Sequence, residues 1–439
     1  MTKVIPGPDI GSFGIWLQMR KVGPIQYCVD LTRKYGDIVQ ARIGSHQMIL
    51  LSNPQHFRHI FIDNKDNYIK KNDKMKCVLG NGLLTSEGPL WRRQRRLLQP
   101  PFNPSAVGKF YESIRIPTQE MLDRWEPLVG TTLNVNRYFS QATMSAIGRA
   151  LFNRDLLGQD KMVRQSITYV LEFLNSFMRL PLCIPTPGNL KFKKSMQNLD
   201  RLISSVADEY KGKEEEESGL LSYMLRAKDP ETGESMDALQ LRDEMLTIFT
   251  AGHETTAQSL TWTFYLLDRN PEVLERLRKE VTTVLDGRFP SAEDARHLIY
   301  TQMVIEESLR LYPVAWHVYK TSNKEDVIGG YRIPANASLV LCHYLTQRSA
   351  NFWKDPDSFI PERFVPHAPE PRTDFSYFPF GTGSRFCLGS HFAMLEMKLM
   401  IAAVVQKYRL RLVQQQTVEF EHSILLRPRN GMPMKLERV

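Results

Sequence analysis

The segment FPFGTGSRFCLGSHFAMLEMK, residues 378–398, holds one cysteine, Cys387, between Gly383 and Gly389, with Arg385 two residues before it. Glycines permit backbone conformations that a side chain forbids, so such a loop can bring its amides close to the sulfur. The apolar stretch that follows, with Phe392, Leu395, Leu399 and Ala402 on one helical face, opens a helix whose N-terminal amides favour negative charge. Both features favour thiolate over thiol. A thiolate at a helix start is a nucleophile or a metal ligand, and His391 is the one local base for a nucleophile. A structural zinc site needs about four ligands, and no second cysteine is near. Taken alone, a lone cysteine is inert core.

Three other sets of residues have types and spacings that bear on chemistry. In EESLRLYP (306–313), Glu307 and Arg310 are three apart and share a helical face. Alone, they read as a weak surface ion pair. In AGHETT (251–256) a glycine, an acid and two threonines occupy the middle of the longest helix candidate, 243–271, where such residues are poor choices for an undisturbed helix. In WRRQRR (91–96), Trp91 and Arg95 are four apart and share a face, leaving the other arginines to solvent.

The elements that must position these residues follow from periodicity and punctuation. Residues 37–54 offer two β-type runs around a polar turn, a hairpin. From about 90 to 310 the pattern is mostly helical, interrupted at KGKEEEESG (211–219), an exposed helix end and loop. Residues 326–345 form short strands with a Gly-Gly turn; after PERF (361–364) an aperiodic approach leads to the cysteine turn and a last buried helix. There is no internal repeat. The fold class is mainly α with a small β-rich part (α+β), with residues 1–439 forming a single domain.

Composition narrows the setting. Lysine and arginine total 57 against 48 acids, a net charge of +9. The basic clusters read as solvated faces or as a positive face for an acidic partner. Acids are interleaved throughout and no nucleic-acid-binding motif is present, so nucleic acid is excluded as a partner. The five cysteines, Cys28, Cys77, Cys183, Cys342 and Cys387, form no CxxC pair, which points to a reducing compartment. No signal peptide or transmembrane anchor is evident. A cytoplasmic monomer is the expectation.

Phe380, Gly383, Arg385, Cys387 and Gly389 fill the pattern Phe-x-x-Gly-x-Arg-x-Cys-x-Gly, and here the chain resembles the cytochrome P450 superfamily. The resemblance extends from the early hairpin to the final helix. It implies that Cys387 is the metal ligand, supplying an axial thiolate to haem b. Phe380 would shield the sulfur, amides after Cys387 would hydrogen-bond it, and Arg385 would reach a haem propionate. Trp91 and Arg95 would contact a propionate too. Lys320 stands in WHVYK where the family commonly has arginine, and lacks the bidentate fork. Gln347 stands in YLTQRSANFW where the family frequently has histidine. The Glu307–Arg310 pair would be buried and joined by Arg363 of PERF. Glu254 would relay protons, Thr255 would position them, and Thr256 would be structural.

The implied activity is a haem-thiolate monooxygenase that inserts one atom of O2 into an apolar small molecule. The pocket would be lined by segments 77–84, 170–182, 313–318 and 422–428, suiting a lipid, terpenoid or polyketide. Electrons would arrive from an external ferredoxin or flavodoxin with its reductase. The rival readings are a haem-thiolate peroxygenase, isomerase or dehydratase, against which Glu254 and Thr255 argue, and a haem-based sensor or binding protein.

Overall fold

The hairpin forms from two runs rich in Ile, Val and Leu. In the computed structural model of the chain, β1 (Ile38–Ile43) pairs antiparallel with β2 (His46–Leu51), Ile38 facing Leu51 and Ile43 facing His46. All residues are described except 1–2, 44–45, 72, 154, 156–161, 163–164, 167, 171–172, 174–181, 211–218, 367–371, 414–417 and 422–424. Most of the polar stretch 211–219, and parts of the expected pocket segments 170–182 and 422–428, therefore lie outside the described residues.

The chain divides into two units. The first comprises Met1–Lys71, Met303–Cys387 and Gln416–Asn430. Its main sheet runs β1-β2-β8-β5-β3, with β3 at Tyr68–Ile69, β5 at Val318–Ser322 and β8 at Ser338–Leu341. β2 and β8 are parallel, and their facing apolar residues Ile49, Leu51, Leu339 and Leu341 are fully buried. Phe57, Phe61 and Phe378 pack against them, with Phe378 meeting Phe57 and Phe61 edge-on. Burying this many aliphatic and aromatic side chains, at about 1.5–3 kcal/mol each, anchors the unit. The Gly-Gly turn is present between β6 (Asp326–Ile328) and β7 (Tyr331–Ile333). Two helices precede the sheet, α1 (Ser12–Val22) and α2 (Pro24–Tyr35).

The second unit comprises Asn72–Gln302, Leu388–Gln415 and Gly431–Val439. Among its helices are α3 (Gly88–Leu98), α4 (Tyr111–Trp125), α5 (Val135–Phe152), α6 (Ala238–Arg269) and α7 (Pro271–Leu285). After α8 (Ile299–Leu311), the chain returns to this unit in α9 (Ser390–Lys407). A small sheet runs β4 (Thr132–Asn134), β10 (Pro433–Arg438), β9 (Tyr408–Leu412). α6 starts at Ala238 rather than 243, because the Asp237 carboxylate caps it by accepting from the Gln240 amide at 2.7 Å. It ends at Arg269, ahead of Pro271. α6 lies along α5: Phe139 and Phe264 stack at 5.3 Å, and Asn136 donates to Gln258 at 2.9 Å and to Thr261 at 3.1 Å.

In α9 the expected apolar face is buried, with Leu399 and Ala402 fully so. Burial extends beyond it: Met397, Met400, Ile401 and Val404 are buried as well, so this helix is enclosed rather than half-exposed. No helix among the described residues is long and apolar enough to cross a membrane.

Candidate active site

The cysteine turn is built by its glycines and its own amides. Gly381 (φ +75°) and Gly383 (φ +65°) occupy the left-handed region that side chains disfavour. Gly381 N donates to Phe378 O at 2.9 Å, Phe386 N to Gly383 O at 3.1 Å, and Cys387 N to Phe380 O at 2.8 Å. The turn thereby closes on itself and leaves the Cys387 side chain exposed, three residues ahead of α9. Gly389 differs from the expectation for a loop glycine. Its φ of −86° is open to any residue, and a Cβ added there meets no described atom within 4 Å.

None of the five cysteines is in a disulfide, and their settings differ. Burial pushes the Cys28 thiol up to about 12 and the Cys342 thiol well above its usual value, so neither offers a thiolate. Cys77, Cys183 and Cys387 are exposed. Of these, only Cys387 is preceded by left-handed glycines and followed directly by a long helix.

The Glu307–Arg310 pair is a buried scaffold, not a surface pair. Both residues are fully buried. Arg310 grips Glu307 with a fork, Nε to Oε2 at 2.7 Å and Nη2 to Oε1 at 2.8 Å. Its remaining donors reach the carbonyls of Gln347 and Pro356, both at 2.7 Å, and Ser358 at 3.0 Å. Arg363 Nε adds a contact to Glu307 Oε1 at 3.2 Å, and Ile360 N one at 2.9 Å. Gln347 has a defined role: its buried amide donates to Leu309 O at 3.1 Å and Arg310 O at 2.9 Å, tying the end of α8.

At the centre of α6 the helix is continuous and its hydroxyls turn inward. Thr255 Oγ1 donates to Ala251 O at 2.7 Å, and Thr256, Ser259, Thr261 and Thr263 each donate to the carbonyl four residues back. Such back-bonding satisfies each hydroxyl proton at mild cost to the helix. It also leaves the oxygen of half-buried Thr255 with acceptor capacity. Glu254 is buried. His253 is buried beside it, with Nε2 3.0 Å from Ser140 Oγ, and burial pushes its imidazole down to about 4, keeping it neutral. The Thr143 hydroxyl donates to His253 O at 2.9 Å, locking this turn of α6 to α5.

Trp91 and Arg95 lie on α3, where Arg95 Nε donates to Gln99 at 3.1 Å. Two of the other arginines are not given to solvent. Arg96 forks onto Asp229 at 3.1 and 3.0 Å, and Arg93 reaches Gln240 at 2.8 Å and Ser235 O at 2.7 Å. The acid at 229 is distant in sequence, which is why the helix pattern alone assigns those arginines to water. Lys320, on β5, is buried and donates to Tyr68 O at 3.2 Å, with the Phe61 ring 5.8 Å from its Nζ.

Sequence reading missed a pair of acids near the start of α6. Asp243 accepts from Asn81 N at 2.7 Å and Glu244 from Leu83 N at 2.8 Å, so the two carboxyls hold the loop that precedes α3. Burial pushes the Glu244 carboxyl up to about 8. A second missed acid, Glu396 on α9, is fully buried beside Thr256, and burial drives its carboxyl well above the usual range.

Comparison with known proteins follows the same lines. The sequence profile of the family described as Cytochrome P450 matches residues 5–434. Cyclooctatin synthase of Streptomyces melanosporofaciens is 32% identical over 88% of this chain and 86% of its own length. Cyclooctat-9-en-7-ol 5-monooxygenase of the same organism is 31% identical over 88% of this chain and 85% of its own. The crystal structure of a cytochrome P450DA heme domain superposes with a TM-score of 0.91, covering 100% of this chain and 98% of that one, at 24% identity.

Proposed function

The chain belongs to the cytochrome P450 family, and from that premise we propose a haem-thiolate monooxygenase that places one atom of O2 into an apolar small molecule. The observation that carries the reading is the self-closed turn at Phe380–Cys387, which presents one exposed sulfur ahead of a long helix. The donor set fits haem b. Among the described residues no group of three His, Cys, Asp or Glu is placed to hold a bare metal ion, so a single soft sulfur suits a metal that arrives with its other ligands. When bound, haem supplies the dioxygen and electron chemistry.

The residues have separate tasks in this proposal. Cys387 would ligate the iron and Phe380 would shield the sulfur. Arg385, Trp91, Arg95 and Lys320 would answer the propionate charges, Lys320 as a point charge without a fork. Glu254 would carry protons to the site. Thr255 would accept a hydrogen bond from a protic species there, since its own proton is committed to Ala251 at 2.7 Å. Glu307, Arg310, Arg363 and Gln347 would keep the cysteine side of the first unit rigid. Residues 1–439 would act together as one catalytic domain, consistent with the family profile spanning 5–434.

The relative named for cyclooctat-9-en-7-ol supports an apolar, terpenoid-like substrate. A separate redox partner is part of the proposal, an acidic ferredoxin or flavodoxin with its reductase, for which the net charge of +9 gives electrostatic complementarity. The setting would be a cytoplasmic monomer, in keeping with five cysteines outside any disulfide.

The decisive experiment is Cys387→Ser. The wild type should give the strongly red-shifted ferrous-carbonyl band of a thiolate-ligated haem, and the variant should lose it. Cys28→Ser and Cys342→Ser should keep it. Retention of that band in Cys387→Ser would overturn the assignment.

A further inference from the structure

Helix α1 carries an exposed face that the proposed chemistry does not use. Phe13, Trp16, Leu17 and Arg20 follow the i, i+3, i+4, i+7 spacing of a single helical stripe. Phe13 is 73% exposed, Leu17 52% and Trp16 37%, while Ile15 on the other side is fully buried and anchors the helix. The Phe13 and Trp16 rings stack at 5.7 Å, and the Arg20 guanidinium lies 5.3 Å over the Trp16 ring. At the C-terminal end, Val22 is exposed beside Lys21. From Ile10 to Val29 there is no Asp or Glu.

We propose that this face docks the protein on an anionic lipid surface. Phe13, Trp16 and Leu17 would enter the boundary between headgroups and acyl chains, with Arg20 and Lys21 held at the level of the lipid phosphates. The chemistry favours this occupant for three reasons. An indole with an apolar body and a polar N–H is suited to that boundary. A guanidinium stacked over the indole stays beside the apolar face instead of swinging into bulk water. The stretch is cationic and acid-free within a chain of net charge +9, which is complementary to anionic headgroups. A second copy of the chain meeting this face through the same face would bring two more cations and no acid to answer them. One short helix gives reversible attachment, not permanent insertion. The inference does not depend on the monooxygenase reading.

The test is co-sedimentation of the full-length protein with phosphatidylcholine vesicles, with and without phosphatidylglycerol. The wild type should partition onto the mixed vesicles, more weakly onto phosphatidylcholine alone, and less as salt is raised. The F13S/W16S/L17S variant should lose at least about tenfold in partitioning at unchanged melting temperature. R20E/K21E should lose the preference for phosphatidylglycerol while W16F keeps it. R20E/K21E carries the test alone should the triple variant fail to fold. Three results would overturn the proposal: no partitioning of the wild type, equal partitioning of folded F13S/W16S/L17S, or an unchanged phosphatidylglycerol preference in R20E/K21E. A concentration-dependent dimer that F13S/W16S/L17S abolishes without lipid would overturn it in favour of a second copy.

Discussion

Glu307 near the end of α8 and Glu244 near the start of α6 are both fully buried, yet they keep opposite company. Glu307 meets two guanidiniums and an amide, with contacts from 2.7 to 3.2 Å. Glu244 accepts one amide at 2.8 Å, its Oε1 has no hydrogen-bond partner among the described residues, and its neighbour Asp243 is another acid. The same side chain thus serves two designs. With cations around it, a buried carboxyl joins distant segments into a fixed scaffold. Without them, burial favours the neutral form, and the contact becomes conditional on pH.

The largest effect should come from breaking the saturated design. Arg310→Ala leaves Glu307 buried without its principal counter-charge and three carbonyls without their donor. The expected cost is about 3–5 kcal/mol, enough to deplete folded protein. Arg310→Lys should recover little, since an ammonium cannot reproduce the fork. Denaturant unfolding measures both, and a wild-type midpoint for Arg310→Ala would mean that the buried pair does not brace the fold.

A smaller loss is expected where the loop meets the acid pair. Gly80 sits at φ +52°, and a Cβ there falls 2.1 Å from Asp243 Oδ2. Gly80→Ala therefore combines backbone strain with displacement of the carboxylate from Asn81 N, at about 1–3 kcal/mol. Gly108→Ala, inside the helical turn Val107–Phe110 where a Cβ meets no described atom within 4 Å, is the control and should be near neutral. Equal midpoints for the two variants would mean the loop is not held tightly.

These two regions also mark what was legible in the sequence. Glu307, Arg310 and PERF sit in short motifs, so their grouping was readable, as were the β1–β2 hairpin, the Gly329–Gly330 turn and the α6 stop at Asn270. The spacing of Glu307 and Arg310, the hairpin, the turn and the stop each depend on residues within a few positions of one another. Arg363, by contrast, lies 56 positions from Glu307 and joined the pair only through the family resemblance. The link between the 80–83 loop and Asp243–Glu244 spans more than 160 positions, and Arg96 meets Asp229 across 133. No periodicity reports such a pairing. Gln347 was unreadable for another reason. Its amide does its work on carbonyls, which every residue has, so its partners leave no mark in composition. Glu396 reads as an oddity in an apolar run, and only the fold makes it a buried acid beside Thr256.

A still smaller effect, visible mainly in its pH dependence, follows from Glu244. Its carboxyl is raised from 4.5 to about 8 in the folded chain. The folded state therefore keeps a proton that the unfolded state releases above about 4.5. The stability from this group is full below pH 4.5 and is lost as pH rises toward about 8. Glu244→Gln copies the neutral form at every pH. The melting-temperature difference, variant minus wild type, should grow across that window and level off above it. A difference that stays constant from acid to alkaline pH would mean that Glu244 is ionised in the fold and paired by a group not seen here.

The smallest effect on stability, and the one that reaches furthest into chemistry, belongs to Thr255 in the same helix. Its hydroxyl back-bonds to Ala251 O at 2.7 Å, an interaction that does little for a helix, so Thr255→Ala should shift stability by no more than about 0.5 kcal/mol. That sets it apart from Arg310, where removal collapses the region. If the Thr255 oxygen accepts a hydrogen bond during proton delivery from Glu254, the variant should still bind haem and substrate and still take up electrons. What it should lose is coupling, with oxygen leaving as hydrogen peroxide instead of entering product. A positioned proton-transfer group contributes about 10²–10⁴-fold, so product per reducing equivalent should drop visibly while peroxide rises. Added peroxide bypasses dioxygen reduction and should restore part of the product. A serine at 255 keeps the oxygen and should keep most of the coupling. Unchanged coupling in Thr255→Ala would make the hydroxyl as structural as those of Thr261 and Thr263, and would move the chemistry toward a peroxygenase.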